Sequence, residues 1–221
     1  MVSVHRVIPA LVAACIMAAA ERPSAQQQIN LAQALDQGKL RSASRGVTKL
    51  PERNGIRLEA KEGDGAVAWV LGSDFKAGTI EVDVRGKDVL QQSFVGLAFH
   101  GKDDKTYEAV YLRPFNFRAE DAVRRDHAVQ YISMPEFGWA RLRKEFPEEF
   151  ENPVDKSLGP NDWVRLRIVV EGATVRIYAG QVGTPTLEVR KLGQLDGGMI
   201  GLWAGNNSEA DFANLTITPA K

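Results

Sequence analysis

The stretch W-V-R-L-R-I-V-V-E-G-A-T-V-R-I-Y, residues 163–178, alternates apolar and polar residues on both sides of Gly172. A period of two marks a half-buried strand, because successive side chains point to opposite faces of a sheet. A glycine between two such runs supplies the backbone freedom that a hairpin turn needs. The stretch reads as two antiparallel strands, 163–171 and 173–179, with Trp163, Leu166, Ile168 and Val170 facing one way and Arg165, Arg167 and Val169 the other. Two more strands follow, at 198–204 and 210–218.

Upstream, strand-like runs at 56–60, 67–71, 79–84, 94–99, 107–112 and 128–132 are separated by turn signals such as Glu62-Gly63-Asp64-Gly65. Residues 29–40 hold one or two helical turns at most. Many short strands at regular spacing, without a long amphipathic helix, predict an all-β fold: a two-sheet antiparallel β-sandwich or jelly roll spanning 45–219, after a lead-in at 26–44. The rhythm breaks between 113 and 162, where Pro114, Pro135, Pro147, Pro153 and Pro160 accompany a helix candidate at 139–150. A long central excursion from a compact sheet is a functional loop or a disordered one. Its aromatic residues, Phe115, Phe117, Tyr131, Phe137, Trp139, Phe146 and Phe150, favour an ordered one.

The pattern G-G-M-I-G-L-W-A-G-N-N at 197–207 with D-F-A-N-L-T-I at 211–217 resembles the closing strands of concanavalin A-like sandwiches, the superfamily of laminin G modules, legume lectins and laminarinase-type glucanases. F-K-A-G-T-I-E-V-D-V at 75–84 and S-F-V-G-L-A-F-H at 93–100 are similar to its early strands. Within the superfamily the resemblance is nearest to secreted bacterial proteins of the 3-keto-disaccharide hydrolase-like group, over 45–219. That likeness implies a concanavalin A-like jelly roll and a saccharide or sugar derivative as partner. In that group, R-P-F-N (here 113–116) and H-x-V-Q-Y (here 127–131) recur as a pair.

Residues 1–25 have the parts of a secretory signal: Arg6, an apolar run over 7–20, then small residues, with cleavage expected after Ala25 or, alternatively, Ala20. The run is too short to span a bilayer. Cys15, the sole cysteine, follows Val12, Ala13 and Ala14 in a weak lipoprotein box, but the apolar run continues past it, so ordinary cleavage and a secreted or periplasmic protein without disulfides is the reading. Without Arg6, Arg22 and Glu21, 26 basic residues face 27 acidic ones. That balance excludes a nucleic-acid binder, which needs a surplus of Lys and Arg on one face, and gives no reason to expect membrane insertion.

The excursion concentrates the chemistry. Y-L-R-P-F-N-F-R contributes Arg113 and Asn116, R-R-D-H-A-V-Q-Y contributes Arg125, His127, Gln130 and Tyr131, and F-G-W-A-R-L-R contributes Trp139, Arg141 and Arg143. Planar donors grip sugar hydroxyls in pairs and an aromatic ring covers the apolar face of a pyranose. These residues and His100 are the candidate saccharide contacts, with His127 the candidate general base. Glu81 and Asp83 share a sheet face, but Arg85, Gly86 and Lys87 stand where a laminarinase-type signature places its further carboxylate, so an ordinary retaining glucanase is not expected. The residues show no metal-ligand spacing of the His/Cys type, no nucleophile elbow and no phosphate-cradling loop, and no cofactor or metal is expected. Asp103, Asp104, Asn206, Asn207 and Asp211 offer oxygen ligands without a calcium-loop pattern. Three functions follow: a carbohydrate-binding sandwich, a hydrolase of 3-keto-disaccharides, or a structural adhesion module.

Overall fold

The hairpin around Gly172 forms as its alternation demands. Gly172 has φ of 57°, the left-handed region that glycine enters without cost. In chain order the strands are β1 (Gln27–Ile29), β2 (Leu40–Ser42), β3 (Val47–Leu50), β4 (Gly55–Leu58), β5 (Ala66–Val70), β6 (Gly78–Arg85), β7 (Val95–Gly101), β8 (Tyr107–Leu112), β9 (Val129–Met134), β10 (Glu151–Asn152), β11 (Val164–Glu171), β12 (Thr174–Ala179), β13 (Leu187–Arg190), β14 (Met199–Ala204) and β15 (Ala210–Pro219). Three short helices, α1 (Leu31–Asp36), α2 (Ala122–Asp126) and α3 (Trp139–Glu145), join them. This computed structural model describes residues 25–63 and 65–221, so the signal at 1–25 and Cys15 lie, apart from Ala25, outside the described residues. No described helix is long and apolar enough to cross a membrane.

Among the described residues the strands make two antiparallel sheets. The first runs β13-β12-β11-β6-β15-β4-β3 with β1 added on β15, and the second runs β10-β9-β8-β7-β14-β5-β2. Strands from both halves of the chain interleave, with β6 between β11 and β15 and β7 between β8 and β14, so the two sheets close a single sandwich. Residues 26–44 take part in it: β1 joins the first sheet, β2 pairs with β5 in the second, and α1 buries Leu31 and Ala34.

The sheets differ in how they are covered. Strands β6 and β11 of the first alternate buried and half-exposed positions, with Val164, Leu166, Ile168 and Val170 inside. Trp163 departs from the expected arrangement. It shares the parity of Arg165 and lies on the outward face, its ring 4.7 Å from the guanidinium carbon of Arg85 and 4.8 Å from that of Arg53. Strands β5, β7 and β8 of the second sheet are buried at every position, which an alternating pattern cannot produce. The aliphatic side of that sheet, with Val95, Leu97, Val110, Leu112, Val129 and Leu202, joins the common core. Its other side carries Trp69, Trp203, Tyr107 and Tyr111, also buried.

Burial of both faces replaces the period-two signal with a continuous apolar run. Helix α3 stops at Glu145, well short of the expected residue 150, because Pro147 has no N–H for the helical ladder.

Candidate functional site

A row across the second sheet builds the site. Trp203 on β14 pairs with Gly96 on β7, Gly96 with Tyr111 on β8, Tyr111 with Gln130 on β9, and Gln130 with Glu151 on β10. Residues opposite one another on adjacent strands point to the same face, so Trp203, Tyr111, Gln130 and Glu151 share one side. Gly96 makes room in that row: a Cβ there would lie 2.0 Å from the Val110 carbonyl oxygen and 2.8 Å from the Tyr111 Cβ. The Tyr111 and Trp203 rings stack across it at 4.5 Å.

Arg113, just past the end of β8, ties the row together. Its Nη2 donates to the Tyr111 hydroxyl at 3.0 Å and to Gln130 Oε1 at 2.8 Å, and its Nη1 donates to the His127 carbonyl at 2.8 Å and to Glu151 Oε2 at 3.4 Å. Asn116 Nδ2 donates to the same His127 carbonyl at 3.2 Å. His127 ends helix α2, which starts where the Asp121 carboxylate accepts from the Val123 amide, and so the backbone at 127 is held from three sides.

Arg143 reaches Glu151 from helix α3 and grips it with two parallel bonds, Nε to Oε1 at 3.0 Å and Nη2 to Oε2 at 2.8 Å. This is the fork geometry that guanidinium and carboxylate share. The His127 Nδ1 lies 2.9 Å from Glu151 Oε1, off the line a hydrogen bond needs. Above the pair, the exposed Trp139 ring stands 5.3 Å from the Arg143 guanidinium carbon.

Burial alone would raise the Glu151 carboxyl, but the hydrogen bonds and charge of Arg143, with the charges of Arg113 and His127, outweigh it and hold the group below the usual carboxylate range. His127 is pushed below the ordinary imidazole value, first by burial and then by the Arg143 and Arg113 charges, against the opposing pull of Glu151. The cluster therefore presents, near neutral pH, a fixed carboxylate, a neutral imidazole and two guanidiniums. Only His127, Arg143 and Trp139 reach water, since Arg113, Asn116, Gln130 and Glu151 are buried.

Of the residues singled out in the sequence, the fold thus brings Arg113, Asn116, His127, Gln130, Trp139 and Arg143 into one neighbourhood. The others lie apart from it. Tyr131 alternates with Gln130 to the opposite face, where its hydroxyl and His100 Nδ1 both meet the Glu108 carboxylate, His100 Nε2 lies 2.9 Å from the Lys76 carbonyl oxygen, and all three side chains are fully buried. Arg125 donates to the Ala119 and Glu120 carbonyls at 2.7 Å each and so closes its own loop. Arg141 lies over the Phe137 ring and pairs with Glu145 one turn along α3.

Glu151 and Tyr111 escaped the sequence reading. The signal for Glu151 was indirect: several guanidiniums drawn into one aromatic-rich segment need a carboxylate beside them if they are to be buried. Of the oxygen ligands noted for calcium, Asp103 accepts from the Lys105 and Thr106 amides of its own turn, and Asp104 is engaged by Arg41 and the Trp69 indole. Among the described residues no group of three or more His, Cys, Asp or Glu side chains is placed to hold a metal ion.

No protein-family model matches the chain, and no curated protein does. Solved structures do. The carbohydrate binding module CBM66 from Bacillus subtilis superposes with a TM-score of 0.58 at 15% identity, over 80% of this chain and 94% of that one. The fold is the concanavalin A-like sandwich. Other structures similar to this chain are the exoplasmic/lumenal domain of VIP36 in its Ca²⁺/Man3GlcNAc-bound form (TM-score 0.56, 10% identity, 83% of this chain and 86% of that one) and the Crh5 transglycosylase in complex with NAG (0.54, 14%, 90% and 86%). At such identities what is shared is the architecture; function has to be argued from the site.

Proposed function

We propose that this concanavalin A-like chain is a carbohydrate-binding protein that takes a saccharide at the open edge of the Glu151 cluster. The observation that carries the reading is the exposed Trp139 ring standing beside an Arg143 fork that is already fixed on a buried carboxylate. An indole supplies a flat apolar surface for the C–H face of a pyranose, and an imidazole and a guanidinium beside it supply hydroxyl partners at little entropic cost, because Glu151 fixes the Arg143 fork while Arg113 and Asn116 hold the His127 backbone. Arg113, Asn116 and Gln130 then act as positioning residues, since their polar atoms are spent within the protein. The saccharides carried by the VIP36 and Crh5 structures, and the name of the CBM66 module, support the same class of ligand. Export after removal of residues 1–25 belongs to this reading; N-terminal sequencing of the exported protein is expected to begin at Gln26, and a chain that keeps Met1 would contradict it.

The test is a glycan-array screen followed by calorimetric titration of the strongest oligosaccharide. Trp139→Ala is expected to weaken binding about tenfold, roughly 1.4 kcal/mol, with no change in unfolding midpoint. Unchanged affinity in that variant would remove the proposed site.

One observation favours a second reading, hydrolysis of 3-keto-disaccharides: His127 is kept neutral next to a carboxylate, as a general base requires. In that reaction Nε2 takes the proton from the carbon beside the ketone. The glycosidic C–O bond breaks, the leaving oxygen takes the proton back from the imidazolium, and water adds to the resulting enone. Incubation with 3-keto-glycosides and with ordinary disaccharides separates the readings. Monosaccharide released from the keto substrate and abolished in His127→Gln supports the enzyme, while binding without release supports the module.

A further inference from the structure

The first sheet carries a separate hollow. Arg57 on β4, Asp211 on β15 and Arg85 on β6 form a cross-strand row. Both guanidiniums close on the Asp211 carboxylate at 2.6 Å, so that buried charge is fully committed. Beside the row, Lys87, Asn161 and Glu209 help to wall a cavity of about 260 Å³. Lys87 Nζ lies 2.7 Å and Arg57 Nη1 3.1 Å from one Glu209 oxygen, Oε1, which is buried without an aligned hydrogen bond. Glu209 Oε2 accepts no hydrogen bond among the described residues. Asn161 accepts from the Asp88 amide at 3.1 Å with its Oδ1, which leaves its NH₂ unpartnered among the described residues, as is Arg85 Nη1.

The hollow thus offers an acceptor and several donors on walls whose charges are already paired. Each cation of the lining, Arg57, Arg85 and Lys87, already faces a carboxylate, which leaves little net charge to draw an anion. A hydroxyl both donates and accepts, so a vicinal diol can bridge Glu209 Oε2 to the Lys87 ammonium or the Asn161 amide without disturbing any pair. The volume suits a single ring. We propose that this hollow is a second saccharide subsite, on the opposite sheet from Trp139, that holds one neutral sugar ring through hydrogen bonds. It stands independently of the Glu151 site, and two such positions would let one chain engage a polysaccharide at two points, where linked binding gains avidity.

The four tryptophans provide the readout. Trp69 and Trp203 are buried, Trp139 flanks the Glu151 cluster, and Trp163 packs on Arg85 at the wall of the second hollow. Indole N–H signals of the ¹⁵N-labelled protein are followed while methyl glucoside, methyl mannoside and methyl galactoside are added, with glucuronate as the anionic comparison. The Trp163 signal is expected to shift saturably with at least one neutral glycoside. The shift should persist in Trp139→Ala and weaken about tenfold in Lys87→Ala and Asn161→Ala. Both replaced side chains are exposed, so unfolding midpoints should hold.

A Trp163 signal that stays still with every neutral glycoside, responds to glucuronate alone, or loses its response in Trp139→Ala overturns the second subsite. If Trp139 alone responds, the second subsite falls and the first reading stands. If Trp163 alone responds, the second subsite stands and the first reading falls.

Discussion

Glu151 on the second sheet and Asp211 on the first are both buried carboxylates gripped by two guanidiniums, Arg113 and Arg143 in one case, Arg57 and Arg85 in the other. The surroundings separate them. Around Asp211 all three members sit on adjacent strands in one register row, and the two arginines remain 32% and 28% exposed. Around Glu151 only the carboxylate lies on a strand of the pair: Arg113 comes from the loop after β8 and is 6% exposed, Arg143 comes from helix α3, and an imidazole stands alongside. A rigid, surface-facing ion row stabilises a sheet modestly. A cluster assembled from a loop, a helix and two strands around a buried charge concentrates both stability and titration in one place, and it leaves an imidazole, a guanidinium and an indole at its opening.

The sharpest break between the two should come from truncating one cation in each. Arg113→Ala strands a buried carboxylate, a glutamine and a tyrosine hydroxyl, and a loss of about 3–5 kcal/mol in urea unfolding is expected. Arg57→Ala leaves Arg85 on Asp211 with water nearby, and about 1 kcal/mol is expected. Equal losses would mean that the two clusters are the same kind of structural clamp.

Acid should then separate them by position. The folded His127 value lies below its unfolded value of about 6.5, so its contribution is present above that value and declines as pH falls, because the unfolded imidazole takes a proton that the folded one refuses. Glu151 follows the same sign further down: its folded value lies below the unfolded value of about 4.3, and its contribution is lost as pH falls through the folded value. Wild-type stability is expected to drop between pH 7 and pH 5.5 and to be flatter there in His127→Gln, with Arg57→Ala keeping the wild-type slope. A His127→Gln profile identical to wild type would place the acid sensitivity elsewhere.

The smallest stability effect belongs to Trp139→Ala, within about 0.5 kcal/mol, because the ring lies mostly in water and its partner Arg143 keeps its fork on Glu151. Paired with a loss of saccharide affinity, that result would sharpen the contrast between residues that build the cluster and residues that use it.

The fold was more legible in the sequence than the site. Strands β6, β11 and β12 show one face to water, so their alternation wrote the first sheet directly into the chain. Short edge strands such as β1, β2, β3 and β13 carry too few residues for a period to register. The placement of Trp163 failed on parity, since one step along a strand reverses the face. For the candidate site, composition pointed to Arg113, Asn116, His127, Gln130, Trp139 and Arg143, which the fold gathers around Glu151, because planar donors and an indole crowd one segment. It could not find Glu151, which occupies a two-residue strand between prolines, nor separate Gln130 from Tyr131, whose opposite fates depend on which face of β9 meets the core. The Arg57–Asp211–Arg85 row was invisible for the same reason: it exists only once β4, β15 and β6 are in register.

The most direct test is a crystal structure of the protein soaked with the oligosaccharide that binds best on the array. The account predicts a pyranose lying against the Trp139 ring with hydroxyls bonded to Arg143 and His127 while Arg113 and Glu151 keep their present partners. A saccharide bound elsewhere, with the Trp139 face bare, would contradict it.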